Sequence, residues 1–181
     1  MKKSGWVGML PFYLLALILF IGLAASISGT VTTVNQRSPV ERSHRIVIDP
    51  GHGGIDGGAT SCTGVLESQI NLEIALRLDD LLHLMGYETV MIRTTDTSVY
   101  TEGSTIAAQK VSDLKERVRI TNETPGAILV SIHQNTFPNG RYGGAQVFYG
   151  SESGKSLAQS LQSAFVATVN PGSNRKSKKA S

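Results

Sequence analysis

Apolar and polar positions divide the chain into three zones. Trp6 to Ile27 is mostly apolar, and no charged residue occurs between Ser4 and Gln36. About 20 apolar residues suffice to cross a bilayer. Lys2 and Lys3 precede the run and predict an N-terminus in the cytoplasm. Residues 1–27 are read as an uncleaved signal-anchor. A cleaved signal peptide ending near the small residues Ser26 and Ser28 is the alternative. Residues 28–44 are polar and read as a linker. Both readings predict a domain outside the cytoplasmic membrane.

From residue 45 the pattern switches repeatedly between strand and helix periods. Arg45 to Asp49 predicts a strand. Ser68 to Met85 predicts a helix whose residues Ile70, Ile74, Leu78, Leu81, Leu82 and Met85 share one face, with Gly86 as its terminator. Glu88 to Arg93 predicts the next strand, residues 94–108 a long loop, and Lys110 to Thr121 a second helix. Ala127 to His133 (AILVSIH) is almost wholly apolar and predicts a buried central strand. Gly144 to Tyr149 predicts a fourth strand. Ser156 to Thr168, with Leu157, Leu161, Ala164 and Phe165, predicts a third amphipathic helix. Such alternation predicts an α/β domain over 45–181, with a largely parallel sheet flanked by helices.

Composition changes this picture little. Apolar residues make up 40% and charged residues 17%, which excludes a disordered or coiled-coil chain. The net charge is +3, yet Lys2, Lys3, Arg175, Lys176, Lys178 and Lys179 all lie at the two ends. The body is therefore mildly acidic, which argues against a nucleic-acid surface. The C-terminal basic residues read as a frayed, solvated tail, with contact to anionic polymers or lipids as the alternative. Cys62 is the single cysteine, so no internal disulfide forms. It reads as a packed small residue rather than a metal ligand.

The candidate chemistry lies at strand ends. Open α/β sheets bind ligands at the carboxyl ends of their strands. His52 follows the first strand in IVIDPGHGG, and His133 ends AILVSIH. Glu67 stands just before the first helix. Two imidazoles and a carboxylate form a catalytic zinc set with a position left for water. The glycines around His52 let the loop turn and leave room for a ligand. Each residue also has an ordinary reading: His52 as a turn residue, His133 as a hydrogen-bonded strand end, and Glu67 as a charge placed against the helix dipole. No Gly-Lys-Ser/Thr phosphate cradle is present. Ser131 and His133 share a strand face but lack an evident orienting acid.

The motifs combine in a fixed order. DPGHGG is followed by Glu67-x-x-x-Asn71, Ile92-Arg93-Thr94, Leu114-x-x-Arg117-x-x-x-x-Asn122 and Ser131-Ile132-His133-x-Asn135. This series resembles the zinc-dependent N-acetylmuramoyl-L-alanine amidases of bacterial cell walls, over about residues 45 to 176. The resemblance implies that His52, Glu67 and His133 bind one zinc ion. It also implies that Asp49, Asn71, Arg93 and Asn135 support the ligands or bind substrate. The stretch EGSTIAAQKVSDLKERV, the GGAQVFY run and the N-terminal apolar segment are similar to the germination-specific spore-cortex amidases. Those enzymes strip peptide from muramic acid so that muramic-δ-lactam can form. The implied substrate is peptidoglycan, cleaved between N-acetylmuramic acid and L-alanine. The implied location is the cell envelope outside the cytoplasmic membrane, as in the space between forespore and mother cell.

One departure is visible. The family carries its catalytic glutamate on a later strand, in a motif resembling E-x-GF-x-SN, and no such segment occurs before Ser181. Asp56, Glu73 and Glu152 remain but match no such position, and Asp56 reads as a turn residue. The expectation is a C-terminally incomplete amidase domain, with an edge or an apolar face left exposed. The alternative is a catalytically defective, membrane-anchored zinc- and peptidoglycan-binding protein.

Overall fold

The computed structural model describes residues 44–136 and 143–180. The predicted membrane segment and most of the linker lie outside these residues. Among the described residues no helix is long and apolar enough to cross a membrane.

Strand β1 (Arg45–Pro50) is the centre of a three-stranded parallel sheet, with β2 (Thr89–Met91) on one side and β3 (Ala127–Ile132) on the other. Its β-branched residues explain the position: Val47 and Ile48 are fully buried, which stabilises the fold by roughly 1.5–3 kcal/mol each. Helix α1 (Glu67–Leu84) packs on all three strands, and α2 (Ile106–Glu123) packs on β3. Gly86 ends α1 with φ 76°, a left-handed turn that suits glycine. Thr105 caps α2 by accepting a hydrogen bond from the Ala108 N–H at 3.2 Å. Between β2 and α2 the loop is held by Ser112 and Asp113, which accept from the N–H groups of Thr101, Glu102 and Val99.

The α/β class with a parallel sheet flanked by helices stands, but several details differ from the sequence expectation. Among the described residues AILVSIH lies at the edge of the three-stranded sheet, not at its centre. β3 pairs only with β1 among the described residues, and its burial alternates, leaving Leu129 49% exposed. The buried face of α1 is Glu67, Ser68, Asn71 and Ala75, while Ile74, Leu81 and Met85 are exposed. The reason is positional: the first turn of α1 must bring Glu67 and Asn71 to the strand ends, and this fixes the rotation of the whole helix. Helix α2 starts at Ile106, four residues before its predicted start, because Thr105 caps it there.

The expected fourth strand shrinks to β4 (Phe148–Tyr149), and among the described residues it joins no strand of the main sheet. It pairs in parallel with β5 (Lys178–Lys179), so the basic tail is not frayed here. Helix α3 (Lys155–Thr168) runs between them. Its buried residues are Ala158 and Gln162, with Leu157 and Leu161 exposed. Gln162 faces inward because its amide bonds like a strand partner, accepting from the Val147 N–H at 2.8 Å and donating to the Ala145 carbonyl at 3.2 Å.

Candidate metal centre

The site begins where β1 ends. Parallel register sets Pro50 beside Ile132, and the Gly51 N–H donates to the Ile132 carbonyl at 3.0 Å. One residue further, the His133 ring lies over Gly51. A Cβ at Gly51 would stand 2.2 Å from His133 Cε1, so glycine is required there for space. His52 follows with φ 62°, a left-handed conformation rare outside glycine.

Buried side chains hold this turn. The Pro50 carbonyl accepts from Arg93 Nε at 2.9 Å and from Arg117 Nη1 at 3.1 Å. The Gly51 carbonyl accepts from Arg93 Nη2 at 3.0 Å and Asn71 Nδ2 at 3.2 Å. The His52 carbonyl accepts from Arg117 Nη2 at 2.8 Å. Three successive carbonyls thus converge on two guanidiniums and one amide, and the strain at His52 is held by its surroundings. Arg117 also bonds Asp49, and its Nε donates to Asp113 at 2.6 Å. The Ser131 hydroxyl occupies the other Asp49 oxygen at 2.7 Å. Asp113 and Asp49 keep the Arg117 guanidinium firmly charged despite its burial. Arg93 bonds only to carbonyls in these contacts, and burial together with the nearby Arg117 charge lowers its pKa.

Glu67 opens α1 and points into the same space. Its Oε2 accepts from the Ala59 N–H at 3.0 Å, and its Oε1 from the Gln134 N–H at 2.9 Å. Burial pushes its pKa up, but these backbone donors, His52 and Asn71 outweigh burial and hold it below the usual value. Oε1 lies 3.3 Å from His52 Nε2 and 3.1 Å from His133 Nδ1. One ligand atom from each of His52, Glu67 and His133 falls within 4.8 Å of the others. The two rings meet edge to face, with centroids 4.9 Å apart. Side-chain exposure rises from 6% at Glu67 to 24% at His52 and 50% at His133, so the cluster opens on the His133 side.

The structure thus brings His52, Glu67 and His133 together. Asn71 is fully buried beside them and accepts from Gln134 Nε2 at 3.0 Å. Asp49 and Arg93 sit beneath the turn, where both are buried and engaged. They act on the framework, and neither offers a free group to substrate. Asn135 lies exposed on the loop after His133.

Two contributors escaped the sequence reading. Arg117 stood in the Leu114-to-Asn122 motif without an assigned role. Its Asp113 partner four residues earlier was the available signal. Asp56, read as a turn residue, bonds His52 Nδ1 through Oδ2 at 2.9 Å and Lys110 through Oδ1 at 2.8 Å. Burial raises its pKa, but Lys110 and His52 outweigh this and hold it at about 2.

The sequence pattern of the N-acetylmuramoyl-L-alanine amidases matches residues 46–181. The germination-specific N-acetylmuramoyl-L-alanine amidase of Bacillus subtilis is 40% identical over 105 residues, which cover 58% of this chain and 44% of that protein. The chain therefore spans less than half the length of this curated relative. The CwlD amidase from Clostridioides difficile, solved in complex with the GerS lipoprotein, superposes with a TM-score of 0.71 at 34% identity, covering 75% of this chain and 72% of that one. An N-acetylmuramoyl-L-alanine amidase of Nostoc punctiforme gives a TM-score of 0.62 at 31% identity, covering 76% and 69%. With the family's pattern running through the sheet, both strand-end histidines and the glutamate between them, this chain belongs to the N-acetylmuramoyl-L-alanine amidase family.

Proposed function

We propose that His52, Glu67 and His133 hold one zinc ion, and that the protein hydrolyses the amide between N-acetylmuramic acid and L-alanine in peptidoglycan. The observation that carries this reading is the spacing around Glu67 Oε1. Donor atoms about 2.0–2.1 Å from a tetrahedral zinc ion stand about 3.3 Å apart. The His52 and His133 nitrogens lie 3.3 and 3.1 Å from that oxygen. Two nitrogens and one oxygen also match the ligand type of catalytic zinc sites, which leave one position open.

Zinc, when bound, lowers the pKa of water and polarises a carbonyl. The chain's own residues position the ligands and keep the site open. Asn71, Gln134 and the Ala59 N–H fix the Glu67 carboxylate. Gly51 and Gly58 keep the floor clear: a Cβ on Gly58 would stand 2.8 Å from Glu67 Oε2. The exposed His133 side gives a bulky polymer access.

The likeness to germination-specific relatives supports a role in cortex peptidoglycan, in the envelope outside the cytoplasmic membrane, with residues 1–27 as the membrane segment. The lipoprotein bound to the Clostridioides difficile neighbour supports a protein partner for this chain too. One observation favours a second reading, binding of zinc and peptidoglycan without hydrolysis. Among the described residues, the carboxylates of Asp49 and Asp56 are both engaged by neighbouring donors, and neither stands free as a general base.

Elemental analysis and digestion of purified cortex peptidoglycan test the proposal. The expected result is one zinc per chain and new amino-terminal L-alanine, both lost in His133→Ala. A wild-type protein without zinc would overturn it. Zinc and peptidoglycan binding with no new alanine termini would select the second reading.

A further inference from the structure

We propose that Lys110 is a positioning residue for the metal centre: through Asp56 it fixes the tautomer of His52, so that Nε2 is left to face the ion. The proposal rests on the zinc reading above and adds a regulator of that site.

Lys110 lies on α2, well separated in sequence from the His52 loop, and reaches Asp56 Oδ1 at 2.8 Å. The other oxygen, Oδ2, lies 2.9 Å from His52 Nδ1. Asp56 is further tied by its backbone, which exchanges hydrogen bonds with Gly53 at 2.8 and 3.1 Å. One carboxylate thus joins a lysine on a helix to a histidine on a strained turn.

The consequence follows from imidazole chemistry. A neutral histidine has one N–H and one lone pair, and free histidine places the proton mainly on Nε2. A carboxylate accepts only, so Asp56 requires the proton on Nδ1. The lone pair then sits on Nε2, which lies 3.3 Å from Glu67 Oε1. In that neutral tautomer Nε2 and Oε1 are both acceptors, and a cation between them would satisfy both. Asp56 therefore selects the one tautomer of His52 that is ready for a metal, as carboxylates beside metal-bound histidines do.

Lys110 decides whether Asp56 is available for this. The Asp56 side chain is 29% exposed and that of Lys110 is 48% exposed. Without the ammonium, Asp56 Oδ1 keeps the long Gly58 N–H bond at 3.4 Å, and the half-buried carboxylate can rotate toward water and release Nδ1. An exposed ion pair contributes little to folding, so the role of Lys110 is expected in metal affinity and not in stability.

The test is a competitive zinc titration of the full chain against a chromophoric chelator, with ring ¹⁵N spectra of His52 in the metal-free protein. Asp56→Asn is expected to weaken zinc binding by about 10- to 100-fold, and Lys110→Met by about 3- to 10-fold. Lys110→Arg, which keeps the charge, is expected to restore binding to within about twofold. The metal-free wild type is expected to show the Nδ1–H tautomer, and Lys110→Met a mixture. Lys110→Met with wild-type affinity and an unchanged tautomer would overturn the proposal. A wild type that binds no zinc overturns the metal reading instead, and the tautomer spectra still decide the role of Lys110.

Discussion

Replacing Arg117 with Met is the most direct test of how the centre is held. The substitution keeps most of the side chain's length and removes its charge and donors. The Arg117 side chain is 8% exposed, and its partners Asp49 and Asp113 are 10% and 15% exposed. In Arg117→Met, Asp49 keeps only the Ser131 hydroxyl among these partners, and the His52 carbonyl loses its donor. Removing one side of a buried ion pair costs about 3–5 kcal/mol, because the remaining charge is left uncompensated. A domain has about 5–15 kcal/mol in total. With a urea dependence of about 2 kcal/mol per molar, the midpoint should fall by about 1.5–2.5 M. Urea unfolding followed by circular dichroism reads this. Asp49→Asn removes the stranded charge, so the double variant should be less destabilised than the two single losses added together. A loss below about 1 kcal/mol, the range of solvated surface pairs, together with simple additivity, would refute the claim that this pair holds the turn.

Three further outcomes are expected. Gly51→Ala places a methyl group 2.2 Å from His133 Cε1 and should displace that ring, abolishing stoichiometric zinc binding while circular dichroism stays unchanged. Zinc at about 100 times its dissociation constant should stabilise the wild type by about 2.7 kcal/mol; thermal melts with and without chelator read this, and His133→Ala should remove the difference. Thr105→Ala removes the cap of α2 and should cost about 1 kcal/mol in urea unfolding, without changing zinc affinity.

The alternation of periods made the α/β class and the position of each main-sheet element visible in the sequence, because these are local properties. His52 and His133 were legible as a pair for the same reason: each follows an obvious strand, and parallel strands bring their carboxyl ends together. Strand order was not legible. The apolar run of β3 suggests burial on both faces, but which strand is central depends on pairings between distant segments. The packing face of α1 was also hidden. Its regular apolar stripe includes Ile74, Leu81 and Met85, yet Asn71 and Ala75 face the sheet. The i, i+4 spacing of Asp113 and Arg117 is a local signal for a helical pair, but their burial depends on Asp49, brought in from β1.

That last case points to how this domain builds its site. Among the described residues, the buried apolar positions are few: Val47, Ile48, Ala75, Ile92 and Ala158. The buried polar ones include Asp49, Glu67, Asn71, Arg93 and Arg117, and these cluster at the carboxyl end of β1. An apolar contact there could bury the turn but could not fix its direction, since burial is non-directional. Hydrogen bonds to three consecutive carbonyls do fix it. They hold His52 at φ 62° and set its ring between Asp56 and Glu67. On the zinc reading, a cation held among His52, Glu67 and His133 would favour this same arrangement. The network and a metal bound there would therefore stabilise the same conformation. Weakening the arginine clamp should lower zinc affinity as well as stability, even though neither arginine is a predicted zinc ligand.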